Sequence, residues 1–277
     1  MFAPRVPELS NLRVLVMGLG TFGGGVGAAR YLAQAGARVT VTDVKPASAL
    51  AESVKALEGL PVELHLGGPR EEDLDACDLL LISPAVPADN PYLRAAVVRG
   101  IPVETELNLF VKSCRAPILG ITGSNGKTTT TALVEAATRK LGGPTWLPLP
   151  PGCFDRPRRV WVGGNIGRSL LPHLPEIGPG DAVVLEISSF QLENLAAIGR
   201  HPAAGLVTNL QPNHLDRHGT MEAYGEAKKT ILRGRGSVGI VNADCPVVSR
   251  WSGIATNPLA FGRKAKPERG ACLAGGW

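Results

Sequence analysis

Short apolar runs alternate along this chain with amphipathic or small-residue stretches. Residues 13–17, 38–42, 62–66, 79–83 and 101–103 carry the continuous leucine and β-branched pattern of buried strands. Residues 25–35, 90–99 and 104–112, lying among them, carry apolar positions at helical spacing. The alternation restarts at Ala116. Residues 116–121, 160–162, 181–187, 204–209 and 237–242 predict strands, and 128–139 and 221–232 predict helices. Strands interleaved with helices predict an α/β fold of mainly parallel sheets covered on both faces. The stretch 141–159, rich in Pro and Gly, predicts an irregular surface excursion, and 262–277 reads as a loose tail.

The length of 277 residues accommodates two domains, with a boundary expected at 106/107. A hydrophobic share of 44% and a charged share of 19% describe an ordinary soluble globular protein, for which disorder is not the default. The net charge of +5 suits an anionic small molecule such as a nucleotide, or equally a scatter of solvated surface charge. Without a dense basic block or interleaved aromatics, it does not point to nucleic acid. Five cysteines (77, 114, 153, 245 and 272) form no C-x-x-C pair, which argues against zinc and a disulfide framework. No run has the length of a membrane helix and no signal-peptide pattern opens the chain, so a cytoplasmic protein is expected.

The most informative stretch follows the predicted strand at 116–121. Gly123, Ser124, Asn125 and Gly126 form a glycine-rich turn, and Lys127, Thr128 and Thr129 open the next helix. The first N–H groups of a helix lack internal acceptors and carry partial positive charge, so this is phosphate-binding geometry. Lys127 can reach outer phosphates and the Thr128 hydroxyl can hold Mg²⁺. The strict G-x-x-x-x-G-K-[ST] pattern is not met, because Ile121 occupies the first glycine position. Glu186 ends another predicted strand and can complete a Mg²⁺ site. His214 follows the strand at 204–209, close in the fold to where Glu186 is expected. Lys228 and Lys229 adjoin on a helix and, read alone, suit a solvated face.

Near the N-terminus, G-L-G-T-F-G (Gly18, Gly20, Gly23) lies between a strand and a helix, and Asp43 ends the next strand. That is a diphosphate-binding turn with an acid placed for ribose hydroxyls. Ser83 ends a further buried strand, where open sheets bind ligands or simply turn. An NAD-dependent oxidoreductase would account for this half alone but leaves the second glycine loop, Glu186 and His214 unused. A non-catalytic nucleotide-binding fragment is a further alternative.

Taken in order, G-L-G-T-F-G (18–23), G-I-T-G-S-N-G-K-T-T-T (120–130), G-G-N-I-G (163–167), E-I-S-S-F-Q-L-E (186–193), T-N-L-Q-P-N-H-L-D-R-H (208–218), Y-G-E-A-K (224–228) and N-A-D (242–244) resemble the Mur ligase family, in particular its D-glutamate-adding branch. The resemblance implies a Rossmann-like domain over 1–106 that binds the uridine diphosphate part of the substrate, and a P-loop NTPase-like central domain over 107–277 that binds ATP. It implies Gly20, Thr21 and Phe22 near the diphosphate, Asp43, Val44 and Lys45 near the uridine, and Ser83 beyond its strand end. Asn165, Ser188 and Gln191 would meet the muramoyl-alanine end. Lys127, Glu186, His214 and Lys228 would be catalytic, with Thr128, Glu186, His214 and a carbamylated Lys228 as Mg²⁺ ligands. The implied cofactors are ATP and Mg²⁺, and the implied substrates are UDP-N-acetylmuramoyl-L-alanine and D-glutamate. A monomer without nucleic-acid or membrane partners is expected. The family's third domain is not among these residues, so ligase activity of this chain alone is expected to be impaired.

Overall fold

A computed structural model describes residues 8–21, 23–84, 86–87, 89–141, 159–167 and 169–272. Phe22, and all but the two ends of the proline-rich stretch 141–159, lie outside the described residues. The chain divides into two compact units. One comprises Met1–Cys114 and Gly167–Glu176, the other Arg115–Ile166 and Ile177–Trp277.

The first unit runs β1 (Arg13–Met17), α1 (Gly24–Gln34), β2 (Arg38–Asp43), α2 (Ala51–Lys55), β3 (Val62–Leu66), α3 (Glu72–Asp75), β4 (Leu79–Ile82), α4 (Pro91–Val98), β5 (Val103–Thr105) and α5 (Glu106–Ser113). Its sheet is parallel throughout, in the order β3-β2-β1-β4-β5. Four of the five residues of β1 are buried, because it is central in a parallel sheet whose two faces are covered by helices, which explains its unbroken apolar run. α1 turns Gly27, Ala28, Ala29 and Leu32 inward, the first three small enough to allow close packing. Asn90 caps α4 by accepting the N–H groups of Tyr92 (2.9 Å) and Leu93 (3.1 Å), and Pro91 supplies the pre-set φ of a first helical position.

The last strand and helix of this unit lie later than expected. β5 occupies Val103–Thr105 rather than 101–103, and α5 begins at Glu106 rather than Glu104. Thr105 sets the boundary, because its hydroxyl accepts the Asn108 N–H at 3.1 Å as the helix cap. Glu104 remains in the strand, fully buried, and pairs with Lys112 of α5, whose side chain is also enclosed. That packing keeps α5 with the first unit, so the division falls at Cys114/Arg115 instead of 106/107.

The second unit contains β6 (Ile118–Thr122), α6 (Lys127–Leu141), β7 (Val160–Gly164), β8 (Ala182–Glu186), α7 (Ser189–Ala197), β9 (Ala204–Val207), α8 (Leu215–His218), α9 (Met221–Lys229), β10 (Val238–Asn242), β11 (Asn257–Gly262) and β12 (Gly270–Cys272). Its sheet is also parallel, in the order β12-β11-β10-β9-β6-β8-β7. Ile121, Val160 and Val184 form one buried cluster on it, and Leu119, Ala204 and Val238 another. The helix expected over 221–232 tightens into a 3-10 turn at Thr230–Leu232. The tail is not wholly loose: β12 pairs with β11 from Ala260↔Gly270 to Gly262↔Cys272. Pro258 obscures β11 in the sequence, since proline is disfavoured inside strands; it lies before the residues that β12 reaches.

The buried Glu104–Lys112 pair generates a stability prediction. Lys112→Met leaves a carboxylate enclosed without its ammonium partner and should cost about 3–5 kcal/mol, whereas Glu104→Leu/Lys112→Met should recover most of it. Urea unfolding of the two variants measures both terms.

Candidate functional site

Strand order brings the second unit's chemistry together. β6 lies between β9 and β8, so the segments following these three strands gather at their C-terminal ends. The Ile187 N–H donates to Ile121 O (2.8 Å) and the Thr208 N–H to Thr122 O (3.0 Å), which extends both pairings past the formal strands.

The glycine loop is stitched to the segment after β9. Ser124 N–H donates to Asn209 O at 3.1 Å. Ser124 Oγ donates to Gln211 O and accepts the Gln211 N–H, both at 2.9 Å. Asn125 N–H donates to Asn209 Oδ1 (3.0 Å), while Thr208 Oγ1 donates to Asn125 O (2.7 Å). Gly123 lies in a left-handed conformation, φ +148°, and a Cβ there would fall 1.8 Å from Thr208 Oγ1. Only glycine permits that approach.

Two amines converge on the loop's first carbonyl. Lys127 Nζ donates to Gly123 O (3.1 Å) and Ser124 O (3.2 Å). Lys228 Nζ donates to the same Gly123 O (3.0 Å) and lies 4.5 Å from the centre of the Tyr224 ring. Lys228 is therefore not on a solvated helix face: it is 1% exposed. Burial, and secondarily the charge of Lys127, pulls its amine down to about 7.

Glu186 is buried at the end of β8. Its Oε2 accepts the Thr128 hydroxyl at 2.7 Å and its Oε1 accepts the Asn165 amide at 3.0 Å. Thr128, Glu186 and Asn165 are thus linked directly, and Lys127 and Lys228 join through Gly123. Ser188 and Gln191 form the reciprocal cap of α7, with Gln191 N–H on Ser188 Oγ (3.3 Å) and Ser188 N–H on Gln191 Oε1 (2.9 Å). His214 is exposed, has φ +52°, and meets this group through aromatic contacts, its ring 5.2 Å from Phe190 and 6.4 Å from Tyr224. Among the described residues, no three His, Cys, Asp or Glu side chains converge as a ready metal cluster.

His218 was not singled out from the sequence. Its Nε2 lies 2.9 Å from Ser189 Oγ, its Nδ1 lies 3.1 Å from Glu193, and its ring stacks on Phe190 at 5.0 Å. Burial lowers its pKa, so the neutral ring donates from Nδ1 to Glu193 and accepts the Ser189 hydroxyl at Nε2. The i, i+4 spacing of His214 and His218 was the available signal, but their different surroundings depend on tertiary packing.

In the first unit, Gly18 N–H donates to Thr42 O at 2.8 Å, and a side chain on Gly18 would begin 2.9 Å from Ser83 Cβ. Ser83 thus stands beside the glycine turn, its N–H on Met17 O at 3.0 Å. Asp43 Oδ2 accepts Gly20 N–H and Oδ1 accepts Lys45 N–H, both at 2.9 Å. The acid therefore organises the turn through backbone groups. Thr21, Val44 and Lys45 are exposed around it.

Comparison with known proteins agrees with both halves. Residues 121–269 match the Mur ligase middle domain, and 12–105 match the Mur ligase MurD-like, N-terminal domain. The chain is 42% identical over 253 residues to UDP-N-acetylmuramoylalanine–D-glutamate ligase from Roseiflexus sp. (strain RS-1), covering 91% of this chain and 51% of that protein. It is 35% identical to the enzyme of the same name from Pelotomaculum thermopropionicum, covering 97% and 56%. The chain thus spans about half the length of the curated relatives it matches. The crystal structure of UDP-N-acetylmuramate:L-alanyl-gamma-D-glutamyl-meso-diaminopimelate ligase from Neisseria meningitides shares the fold, with TM-score 0.60 at 16% identity over 91% of this chain and 78% of that one.

The depressed amine of Lys228 predicts a pH-dependent stability. Between about 7 and the ordinary value of 10.5, the unfolded chain holds a proton that the folded chain lacks, so stability rises with pH across that window. Lys228→Met should stabilise most below pH 7 and progressively less toward 10.5. Urea midpoints of both proteins across this range provide the check.

Proposed function

The chain belongs to the Mur ligase family, and on that premise we propose that it carries the UDP-substrate and ATP sites of an ATP-dependent amide ligase that joins D-glutamate to UDP-N-acetylmuramoyl-L-alanine. The observation that carries this reading is the hydrogen bond between Thr128, at the opening of α6, and the buried carboxylate of Glu186. A hydroxyl and a carboxylate this close, at the mouth of a phosphate loop, are the protein's share of a Mg²⁺–nucleotide site.

The donors fit one Mg²⁺: Thr128 Oγ1 and Glu186 Oε2 are hard oxygens, leaving the other positions to phosphate and water. When bound, the ion would offset negative charge between the triphosphate and an incoming carboxylate. The Asn165 amide keeps Glu186 oriented from its other oxygen. Lys127, now folded onto the loop carbonyls, can swing to the outer phosphates, while the N–H groups opening α6 hold the inner ones.

In the proposed reaction, an alanyl carboxylate oxygen attacks the γ-phosphorus and ADP departs, leaving an acyl phosphate. The D-glutamate amine then attacks the acyl carbon, phosphate leaves, and the nitrogen loses its extra proton. Phosphorylation is needed because a free carboxylate repels the nucleophile and has no adequate leaving group. Holding the partners in line could contribute up to roughly 7–11 kcal/mol. We assign Lys228 to carbamate formation: its neutral nitrogen bonds to the carbon of CO₂ and releases one proton, producing an oxygen donor for a second Mg²⁺ with His214. The buried amine with a pKa of about 7 supports a neutral nucleophile. In the first unit, Gly20, Thr21, Ser83 and the Asp43–Lys45 turn are assigned to the uridine diphosphate portion, and Ser188 and Gln191 of the second unit to the muramoyl-alanine end.

Lys127→Ala tests the assignment without requiring turnover. Losing a charge-assisted contact should weaken Mg²⁺–ATP binding about 10- to 100-fold. UDP-N-acetylglucosamine binding should remain within about twofold of the parent chain. Calorimetric titrations measure both; unchanged ATP affinity, or NADH binding in place of the UDP-sugar, would contradict the assignment.

A further inference from the structure

Glu106 opens α5 in the first unit and has no part in the nucleotide chemistry assigned above. Its Oε1 accepts the Ser169 hydroxyl at 2.6 Å. Its Oε2 lies 3.5 Å from the point where a side chain on Gly24 would begin, and Gly24 is the first residue of α1. The glycine turn ends at Gly23, which brings no capping side chain, and the first turn of α1 carries no acidic residue. Its N–H groups and partial positive charge are therefore available to an anion, with Glu106 beside them.

We infer that Glu106 is a proton switch for the diphosphate site: the diphosphate of a UDP-linked substrate binds the opening of α1 with Glu106 protonated, and binding above its titration range takes up one proton from solvent. This rests on the UDP-substrate reading of the first unit. An ionised Glu106 would set a third negative charge beside the diphosphate, whereas the neutral acid can donate its O–H to a phosphate oxygen. Desolvation already pushes the carboxyl above its ordinary value, against the opposing effect of the Ser169 hydrogen bond. Glycine at position 24 leaves the space between carboxyl and helix open.

The neighbouring charges are otherwise engaged. Glu104 of β5 pairs with Lys112, and His173 of the 3-10 turn Leu171–Glu176 pairs with Glu176 at 3.2 Å. Arg30 of α1 donates to Ala56 O at 2.6 Å, and Tyr31 has its pKa raised further above 10 by burial. Asp43 of β2 holds the Gly20 and Lys45 N–H groups.

The test is calorimetric titration of the 277-residue chain with UDP-N-acetylglucosamine, whose doubly esterified diphosphate does not titrate between about pH 5.5 and about 8.5. Parent affinity should fall as the pH rises above the titration of Glu106, by about tenfold per pH unit where binding takes up one proton. Titrations at the upper end in buffers of different ionisation heat should show proton uptake. Glu106→Gln, which can still accept from Ser169, should show neither the fall nor the uptake. Ser169→Ala should move the fall to higher pH, because the lost hydrogen bond favoured the ionised acid. Parallel pH profiles in parent and Glu106→Gln, or no proton uptake by the parent, would overturn the switch while leaving the UDP site standing. Absence of UDP-N-acetylglucosamine binding at every pH would overturn the switch and the underlying substrate reading together.

Discussion

The candidate site depends on one close approach, between the backbone at Gly123 and the hydroxyl of Thr208. With no Cβ in the way, β6 can end directly against the segment following β9. The same backbone turn offers the Gly123 carbonyl to two amines from different helices, Lys127 of α6 and Lys228 of α9. A cation that shares its acceptor with a second cation is poorly satisfied, and Lys228 is buried as well. This arrangement is tolerated where one amine loses its proton or an anion arrives to relieve the repulsion. Stability is given up at the position where chemistry is proposed to occur.

The remaining organisation follows from strand order. In a parallel sheet every strand points the same way, so neighbours deliver their following segments to one end. Placing β6 between β8 and β9 lets residues far apart in sequence meet: Thr128 with Glu186, and Ser124 with Gln211. The first unit uses the same device on a smaller scale, where β1 between β2 and β4 brings the glycine turn to Asp43 and Ser83. In each unit a carboxylate fixes the turn. Asp43 does so through backbone N–H groups, and Glu186 through the Thr128 hydroxyl and Asn165 amide.

The parallel strands were legible because burial on both faces demands unbroken apolar runs, as in β1, β6 and β8. The loop at Gly123–Thr128 was legible because phosphate chemistry constrains residue types as well as pattern. Legibility failed where tertiary contacts outweighed local preference. Glu104 looked helical but stays in β5, where the fold supplies Lys112, and β12 is too short and too exposed to signal itself. Lys228 resembled a surface lysine until α9 was placed against Gly123, and His218 became distinct from His214 only once Ser189, Glu193 and Phe190 enclosed it. Pairwise chemistry of this kind has no periodic trace in a sequence.

We propose that the Thr128–Glu186 pair marks the seat of a nucleotide-bound cation. The most direct test is the ATP affinity of the parent chain and of Glu186→Gln, each measured with and without Mg²⁺. Mg²⁺ should strengthen ATP binding to the parent by about tenfold or more and have little effect on the variant. Equal enhancement in both proteins would contradict it.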